Sequence, residues 1–175
     1  MTRRSIGAAL LSIGLLFTMS CGIGASSLSQ QQLQQFIAEK HIQPLEVEDV
    51  GGDVTVMLYK DTKRMGCYSA FARNGIEAVH SYNDFLNLKG DAIEPVSFVY
   101  DRVFYHDIVC LTINDKSIRT QAHSIKVMFS KNELSTPVKN NGDMIIYQNS
   151  EVDSSKITII IYDSNQKELI RSPFW

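Results

Sequence analysis

From Leu45 onward the chain shows a hydrophobic pattern with a period of two residues, and this pattern limits its fold more than any other feature. The clearest runs are Val54, Val56 and Leu58, which alternate with Thr55, Met57 and Tyr59, and Ile125, Val127 and Phe129, which alternate with Ser124, Lys126 and Met128. Because successive side chains of a strand point to opposite faces, such alternation predicts β-strands. The pattern predicts about eight to ten of them.

Turn-forming pairs separate the predicted strands. Asn74-Gly75 predicts a two-residue hairpin turn, because both central positions of such turns favour φ above zero. Gly51-Gly52 and Asn141-Gly142 each precede another strand-like run. Residues 163–166 predict a closing hairpin after the isoleucine-rich run 156–162, and its apolar character on both faces places that run in the centre of a sheet.

The arrangement of these elements predicts the fold class. Many short strands without a βαβ rhythm predict a mainly β protein, either a β-sandwich or barrel-like antiparallel sheets. One amphipathic helix precedes the strands, from about Ser29 to His41, and a helical turn is expected at 114–121. Ser29 suits the N-cap and Gln32 the capping box, while one face carries Leu33, Phe36 and Ile37.

The first twenty residues have the features of an export signal. Arg3 and Arg4 give a positive start, and an apolar run extends from Ile6 to Met19. This run of about 14 residues is shorter than the roughly 20 that a membrane-spanning helix needs. We therefore predict that residues 1–20 form a cleaved signal peptide and contribute nothing to the fold.

The junction after this signal resembles that of bacterial lipoproteins; it reads Phe17-Thr18-Met19-Ser20-Cys21-Gly22. In that class a diacylglyceryl group is attached to the cysteine, a peptidase cuts before it, and the cysteine becomes the first residue. Ser20 and Gly22 fit the pattern. Thr18 and Met19 depart from it, because the class favours leucine three positions before the cysteine and a small residue two before. Ordinary secretory cleavage near Ser20 or Ala25 remains the alternative.

The resemblance implies a domain organisation and a location. Residues 1–20 are the signal peptide, residues 21–28 form a lipidated tether, and residues 29–175 form one helix-plus-β-sandwich domain. Cys21 is the implied site of lipidation, and the membrane is a partner through that lipid. The protein is then expected at the outer face of a bacterial cell membrane, or secreted if the alternative cleavage applies.

The end of the chain also resembles a known class. Residues 161–169 have the form Ile-Tyr-Asp-x-Asn-x-Lys-Glu-Leu and are similar to the final strand of small lipoproteins from Gram-positive bacteria. This resemblance implies no particular activity.

Charge restricts the partners. Removal of the signal takes away two of the 17 basic residues and none of the 19 acidic ones, which leaves a formal charge of −4. Nucleic acid is therefore not expected as a ligand. We expect a protein or another component of the cell envelope.

Two cysteines remain beyond the lipid site. Outside the cytoplasm, Cys67 and Cys110 are chemically able to form a disulfide. The alternative is two buried thiols that behave as small apolar side chains.

The densest group of aromatic and ionisable residues lies between positions 100 and 107. Tyrosine and arginine give contact area at low entropic cost, so the predicted binding surface consists of Tyr100, Arg102, Tyr105 and His106. The alternative is an irregular strand in which Val103 and Tyr105 are packed and the charges are solvated.

No sequence motif marks a catalytic site. The chain has no G-x-S-x-G motif and no phosphate-binding glycine loop, and its four histidines lack the spacing of zinc ligands. We therefore expect no metal and no cofactor, and we favour a binding or interaction module. The alternatives are an envelope hydrolase, with a site assembled from distant residues, and a structural envelope component.

Overall fold

The computed structural model describes residues 24–61, 64–84, 94–130, 132–150 and 156–174. The predicted signal peptide and Cys21 lie outside these residues. Within them the chain forms two helices and eleven strands in three antiparallel sheets, and 58% of the residues are in strands. The mainly β class is therefore confirmed. No sheet among the described residues closes into a barrel, which removes the barrel-like alternative.

The sheets follow one another along the chain. The N-terminal sheet has the order β1-β2-β3-β4, with β1 Pro44–Val50, β2 Val54–Lys60, β3 Arg64–Ala72 and β4 Ile76–Asp84. The central sheet has the order β5-β6-β9, with β5 Val96–Val103, β6 His106–Ile113 and β9 Asp143–Asn149. The C-terminal sheet has the order β11-β10-β7-β8, with β7 Ser124–Met128, β8 Glu133–Pro137, β10 Ile157–Tyr162 and β11 Glu168–Phe174. The helices are α1 Gln30–Lys40 and α2 Lys116–Gln121.

The predicted hairpin at Asn74-Gly75 forms, but with a loop one residue longer than expected. Ala72 pairs with Ile76, so three residues connect β3 to β4. Asn74 and Gly75 have φ of 64° and 148°, as the turn chemistry requires. A loop of three residues shifts the pairing of the two strands by one position relative to the predicted loop of two. This shift decides which side chains share a face.

The three sheets stack so that the central sheet is buried on both faces. Alternate residues of β6 point in opposite directions: Ile108 packs toward the N-terminal sheet, and Val109 toward the C-terminal sheet. In the C-terminal sheet, β10 lies between β7 and β11, and its Ile159 and Ile160 are 0% and 2% exposed although they face opposite ways. The apolar run 156–162 is thus a central strand covered on both faces.

A disulfide joins two of the layers. Cys67 of β3 and Cys110 of β6 are bonded through their sulfurs, with their Cα atoms 6.3 Å apart. Both residues are fully buried in the core between the N-terminal and central sheets. Because the two strands belong to different sheets, the bond fixes one layer on the other.

The helix α1 covers the outer face of the N-terminal sheet. It begins after Ser29, whose side chain accepts from the backbone N–H of Gln32, while the Gln32 side chain accepts from the N–H of Ser29. Leu33 and Phe36 are buried against the sheet, next to Met57 and Ala70. No helix among the described residues has both the length and the apolar character needed to cross a membrane.

The segment before α1 is attached to the body of the protein. Ser26 and Ala72 exchange two backbone hydrogen bonds, of 3.2 and 2.8 Å. Leu28 donates its N–H to the Thr55 hydroxyl at 2.7 Å, and Ala25 packs on the core between the N-terminal and central sheets. Residues 25–28, the last part of the predicted tether, thus contact the folded body.

Candidate functional site

Strand alternation divides the predicted binding surface into two groups. Tyr100 and Arg102 lie on the face of β5 that points toward the C-terminal sheet, and Tyr100 packs on the core there. His106 lies on the opposite face of the central sheet, beside the β1–β2 turn, and Tyr105 is in the loop between β5 and β6. The structure thus does not bring these four residues together as one surface.

Asp107 is the centre of the first group. Its carboxylate is fully buried and accepts hydrogen bonds from the Tyr100 hydroxyl at 2.8 Å, the Arg102 Nη1 at 3.3 Å and the Gln148 Nε2 at 3.2 Å. Arg102 also donates from Nη2 to the carbonyl oxygen of Ser150 at 2.9 Å. These contacts compensate a buried negative charge. This group therefore stabilises the domain.

The second group surrounds a fully buried histidine. His106 Nδ1 lies 2.8 Å from Oδ1 of Asn149, whereas Nε2 lies 3.6 Å from Oδ2 of Asp53 and has no hydrogen-bond partner. The Tyr105 hydroxyl donates to Asp53, and this hydrogen bond is the main cause that raises the pKa of Tyr105. At Gly51 a Cβ would lie 2.6 Å from the His106 ring. These contacts hold the β5–β6 loop against the β1–β2 turn.

In the part of the chain that the structure describes, two arrangements that catalysis commonly uses were sought: a metal site and a histidine paired with a nucleophile. Among the described residues, no set of three or more His, Cys, Asp or Glu side chains could hold a metal ion. In the same residues, His80 and His106 hydrogen-bond to the side chains of Tyr59 and Asn149. Neither histidine contacts a serine or cysteine in the way that nucleophilic catalysis requires.

A continuous aromatic surface lies on the outer face of the N-terminal sheet, beside α1. We call it the aromatic stack; its members are Tyr59, Tyr68, His80 and Tyr82. The rings of Tyr68 and His80 are 4.1 Å apart and nearly parallel, at 13°. Tyr59 lies 5.6 Å from Tyr68, and Tyr82 lies 5.5 Å from His80. Phe36 of α1 meets Tyr68 edge-on at 5.3 Å. Three strands and a helix thus contribute rings to one surface.

The aromatic stack extends from the core to the solvent. Tyr59 is 7% exposed, whereas Tyr82 is 55% exposed. Two cationic groups lie beside it: the Arg64 guanidinium carbon is 4.8 Å from the Tyr82 ring, and the Lys40 Nζ is 5.6 Å from the ring of Phe36, the residue that packs on Tyr68. Exposed rings held in place by buried ones suit a ligand-binding surface, because little side-chain entropy is lost on binding.

Strand pairing and one glycine explain why the rings stack. Tyr68 is directly opposite His80 in the β3–β4 pair, and Gly66 is opposite Tyr59 in the β2–β3 pair. A Cβ at Gly66 would overlap the Tyr59 ring. Glycine at this position therefore lets the ring lie across the sheet toward Tyr68 and His80.

The histidine of the aromatic stack is held in its neutral form. Desolvation lowers the pKa of His80, and the nearby charges of Arg64 and Lys40 lower it further. Burial is the main cause that raises the pKa of Tyr59, and its protonated hydroxyl lies within hydrogen-bond distance of His80 Nε2, at 2.7 Å. A neutral imidazole has one donor nitrogen and one acceptor nitrogen, and the hydrogen bond with Tyr59 uses Nε2. His80 therefore keeps its second ring nitrogen, Nδ1, for a hydrogen bond at the edge of the ring.

A groove lies next to the aromatic stack, between the C-terminal half of α1 and β4. It has a volume of about 320 Å³ and is lined by Phe36, Glu39, Lys40, Tyr68, Ile76, Ala78 and His80. A second groove, of about 430 Å³, lies on the C-terminal sheet, and two rings, those of His123 and Tyr162, are in its lining, against three in the first. We select the first groove because apolar rings and a few polar groups meet there, as in ligand sites generally.

Sequence reasoning missed the aromatic stack because its members are spread over three strands. The correct register of the β3–β4 hairpin is the signal that would have placed Tyr68 opposite His80. No known protein family, no curated protein and no solved structure matches this chain, so the functional argument depends on the site itself.

Proposed function

We propose that the chain is a lipoprotein at the outer face of a bacterial cell membrane, attached by a lipid on Cys21. Its folded part is a β-sandwich module that binds a carbohydrate chain of the cell envelope through the aromatic stack. The export signal and the Ser20-Cys21-Gly22 junction support the location. The Cys67–Cys110 disulfide is compatible with it, because disulfides persist outside the cytoplasm.

The aromatic stack is the observation that carries the binding proposal. Its outermost ring, Tyr82, is more than half exposed. This ring packs on His80, the next member of a row of rings that ends in the core. Folding alone does not require a large exposed ring at the end of an ordered row, because burial is what stabilises aromatic side chains in a fold.

The chemistry of the surface favours a carbohydrate. A sugar ring presents a flat face of C–H groups that stacks on an aromatic ring, and hydroxyl groups at its rim. Glu39, Lys40 and the His80 imidazole offer acceptors and donors beside the rings. A ligand of this kind needs no strong positive field, which agrees with the formal charge of −4 expected after removal of the signal.

Replacement of the most exposed ring tests the proposal. We expect Tyr82→Ala to weaken binding of the mature chain to purified peptidoglycan about tenfold, the effect of losing a central aromatic contact. Co-sedimentation with insoluble peptidoglycan over a range of concentrations measures the affinity.

Tyr105→Ala is the matched control, because Tyr105 is a similarly exposed tyrosine, 45% against 55%, outside the aromatic stack. We expect its affinity to stay within about twofold of the unmodified chain. An equal loss of affinity for peptidoglycan in Tyr82→Ala and Tyr105→Ala would contradict the proposal. So would a failure of the unmodified chain to sediment with peptidoglycan.

The location has its own test. We expect mass spectrometry of the native mature protein to show Cys21 as the first residue, carrying a diacylglyceryl group. A first residue other than Cys21, or an unmodified Cys21 thiol, refutes the lipoprotein assignment whatever the binding assay shows.

A further inference from the structure

We propose that the β5–β6 loop, with Phe104 and Tyr105 at its tip, contacts the surface of the lipid bilayer and so sets the orientation of the domain on the membrane. This inference rests on the proposed lipid on Cys21. It adds a second point of contact, made by the folded domain itself.

The loop lies at the end of the molecule where the N-terminal segment joins the body. The Phe104 ring is 4.9 Å from the ring of Phe71. The next residue in β3, Ala72, is the one that pairs with Ser26 of the N-terminal segment. Two adjacent residues of β3, Phe71 and Ala72, therefore link the loop tip to the point of attachment.

A second set of contacts also places the loop at the end of the molecule where the N-terminal segment joins the body. The Tyr105 hydroxyl donates to Asp53 in the β1–β2 turn. Gly52 of that turn accepts a hydrogen bond from the backbone N–H of Ser27 at 2.9 Å. The loop and the N-terminal segment thus contact the same turn from two sides.

The attachment is too short to hold this end far from the membrane. Ala25 already packs on the core. At Gly24, by contrast, an added Cβ would have no atom of the protein within 4 Å. Four Cα-to-Cα steps separate Cys21 from Ala25, which gives a reach of about 14 Å even for an extended chain. A lipid on Cys21 therefore keeps this end of the domain close to the headgroups.

The tip carries the side chains that favour a membrane interface. Phe104 and Tyr105 are 44% and 45% exposed. Aromatic rings, and tyrosine in particular, concentrate at the level of the lipid headgroups. Of the charged residues at this end, Arg73 is exposed in the neighbouring β3–β4 turn, Asp49 is exposed beside Ser27, and Asp53 accepts the hydrogen bond of Tyr105.

The conformation of Phe104 adds a separate argument. Its φ is 56°, at the first position of a two-residue hairpin loop, where glycine is the favoured residue. A bulky side chain in this region is strained and uncommon. An exposed phenylalanine kept in a strained position indicates a role outside folding.

The aromatic stack lies toward the opposite end. From Ala72, the strand β3 runs six residues back to Gly66, which pairs with Tyr82. At about 3.3 Å per residue this is roughly 20 Å. With the β5–β6 loop on the bilayer, the exposed end of the stack points away from the membrane toward the envelope.

The test uses variants of the mature chain that each carry one tryptophan as a fluorescent reporter. Trp175→Phe removes the natural tryptophan from all of them. The disulfide leaves Cys21 as the one free thiol of the three cysteines, so the chain couples through it to phosphatidylcholine vesicles that carry a maleimide lipid. The phosphatidylcholine is brominated in its acyl chains and quenches nearby tryptophan. Phe104→Trp reports on the tip. Lys116→Trp reports on α2, which follows the other end of β6 and lies roughly 25 Å away along the strand.

We expect the fluorescence of Phe104→Trp to be quenched at least threefold more strongly than that of Lys116→Trp, with a blue-shifted emission. A variant that combines Tyr105→Trp with Phe104→Asn should be quenched less strongly than Tyr105→Trp alone. Its Tm should stay within a few degrees of that of Tyr105→Trp. Equal quenching of the two reporters overturns the proposed orientation. Because coupling is chemical, that result is independent of the native N-terminus, whose mass spectrum alone decides the lipoprotein proposal.

Discussion

We expect removal of the Cys67–Cys110 disulfide to lower the free energy of unfolding by about 4 kcal/mol and the Tm by roughly 10 °C. The bond closes a long loop, with a sequence separation of 43 residues, and it joins strands of two different sheets. Without it, the unfolded chain gains the entropy of that open loop. Thermal and urea denaturation of the double variant Cys67→Ala with Cys110→Ala measures the change.

Two controls isolate the role of the bond. A reducing agent should bring the unmodified protein to a Tm near that of the double variant, and should leave the double variant unchanged. Both cysteines are fully buried, so the alanine substitutions also remove some packing. A double variant as stable as the unmodified protein would show that the bond does not form in solution.

We expect Arg102→Met to destabilise the domain by about 3 kcal/mol. The substitution removes a positively charged partner of Asp107, whose side chain is fully buried, while its hydrogen bonds from the Tyr100 hydroxyl and the Gln148 amide remain. Weaker compensation of a buried charge is costly, whereas methionine preserves most of the apolar stem of arginine. Urea denaturation at pH 7 measures the loss.

Arg171→Met is the matched control, because Arg171 forms an ion pair with Glu168 at 2.6 Å in which both side chains are largely exposed. Solvent screens such a pair, so we expect no resolvable change in Tm. If Arg102→Met were no more destabilising than Arg171→Met, the buried network around Asp107 would not stabilise the fold.

Much of the fold follows from local patterns in the sequence. Alternation at Val54–Leu58 and Ile125–Phe129 predicts strands that the structure contains at β2 and β7. The Asn74-Gly75 pair predicts a hairpin, which forms. The expected eight to ten strands are eleven in the described residues. The excess includes segments such as β8, Glu133–Pro137, which is short and largely polar and carries no strong period-two signal.

The order of the sheets could not be read from the sequence. The central sheet consists of β5, β6 and β9. Along the chain, β9 comes after β7 and β8, which belong to the C-terminal sheet. Such pairing depends on contacts between residues that are distant along the chain, and local periodicity does not encode it. For the same reason the sequence left the sandwich and barrel-like alternatives open.

The candidate site was missed for a specific physical reason. A two-residue loop at Asn74-Gly75 would place Tyr68 opposite Ser81, whereas the observed loop of three residues places it opposite His80. A shift of one residue moves every side chain of a strand to the other face. The same alternation separates His106 from Tyr100 and Arg102, which are close in sequence but lie on opposite faces of the central sheet.

The direction of β3 has a mechanical consequence. The strand runs from Arg64, near Tyr82, to Ala72, where Ser26 pairs with it, and it is hydrogen-bonded to β2 on one side and β4 on the other. A pull between Ser26 and Tyr82 acts along these strands. Their ladder bonds, which run perpendicular to the strands, then bear the load in shear and share it, instead of opening one after another. The N-terminal sheet is thus built to resist tension between its two ends.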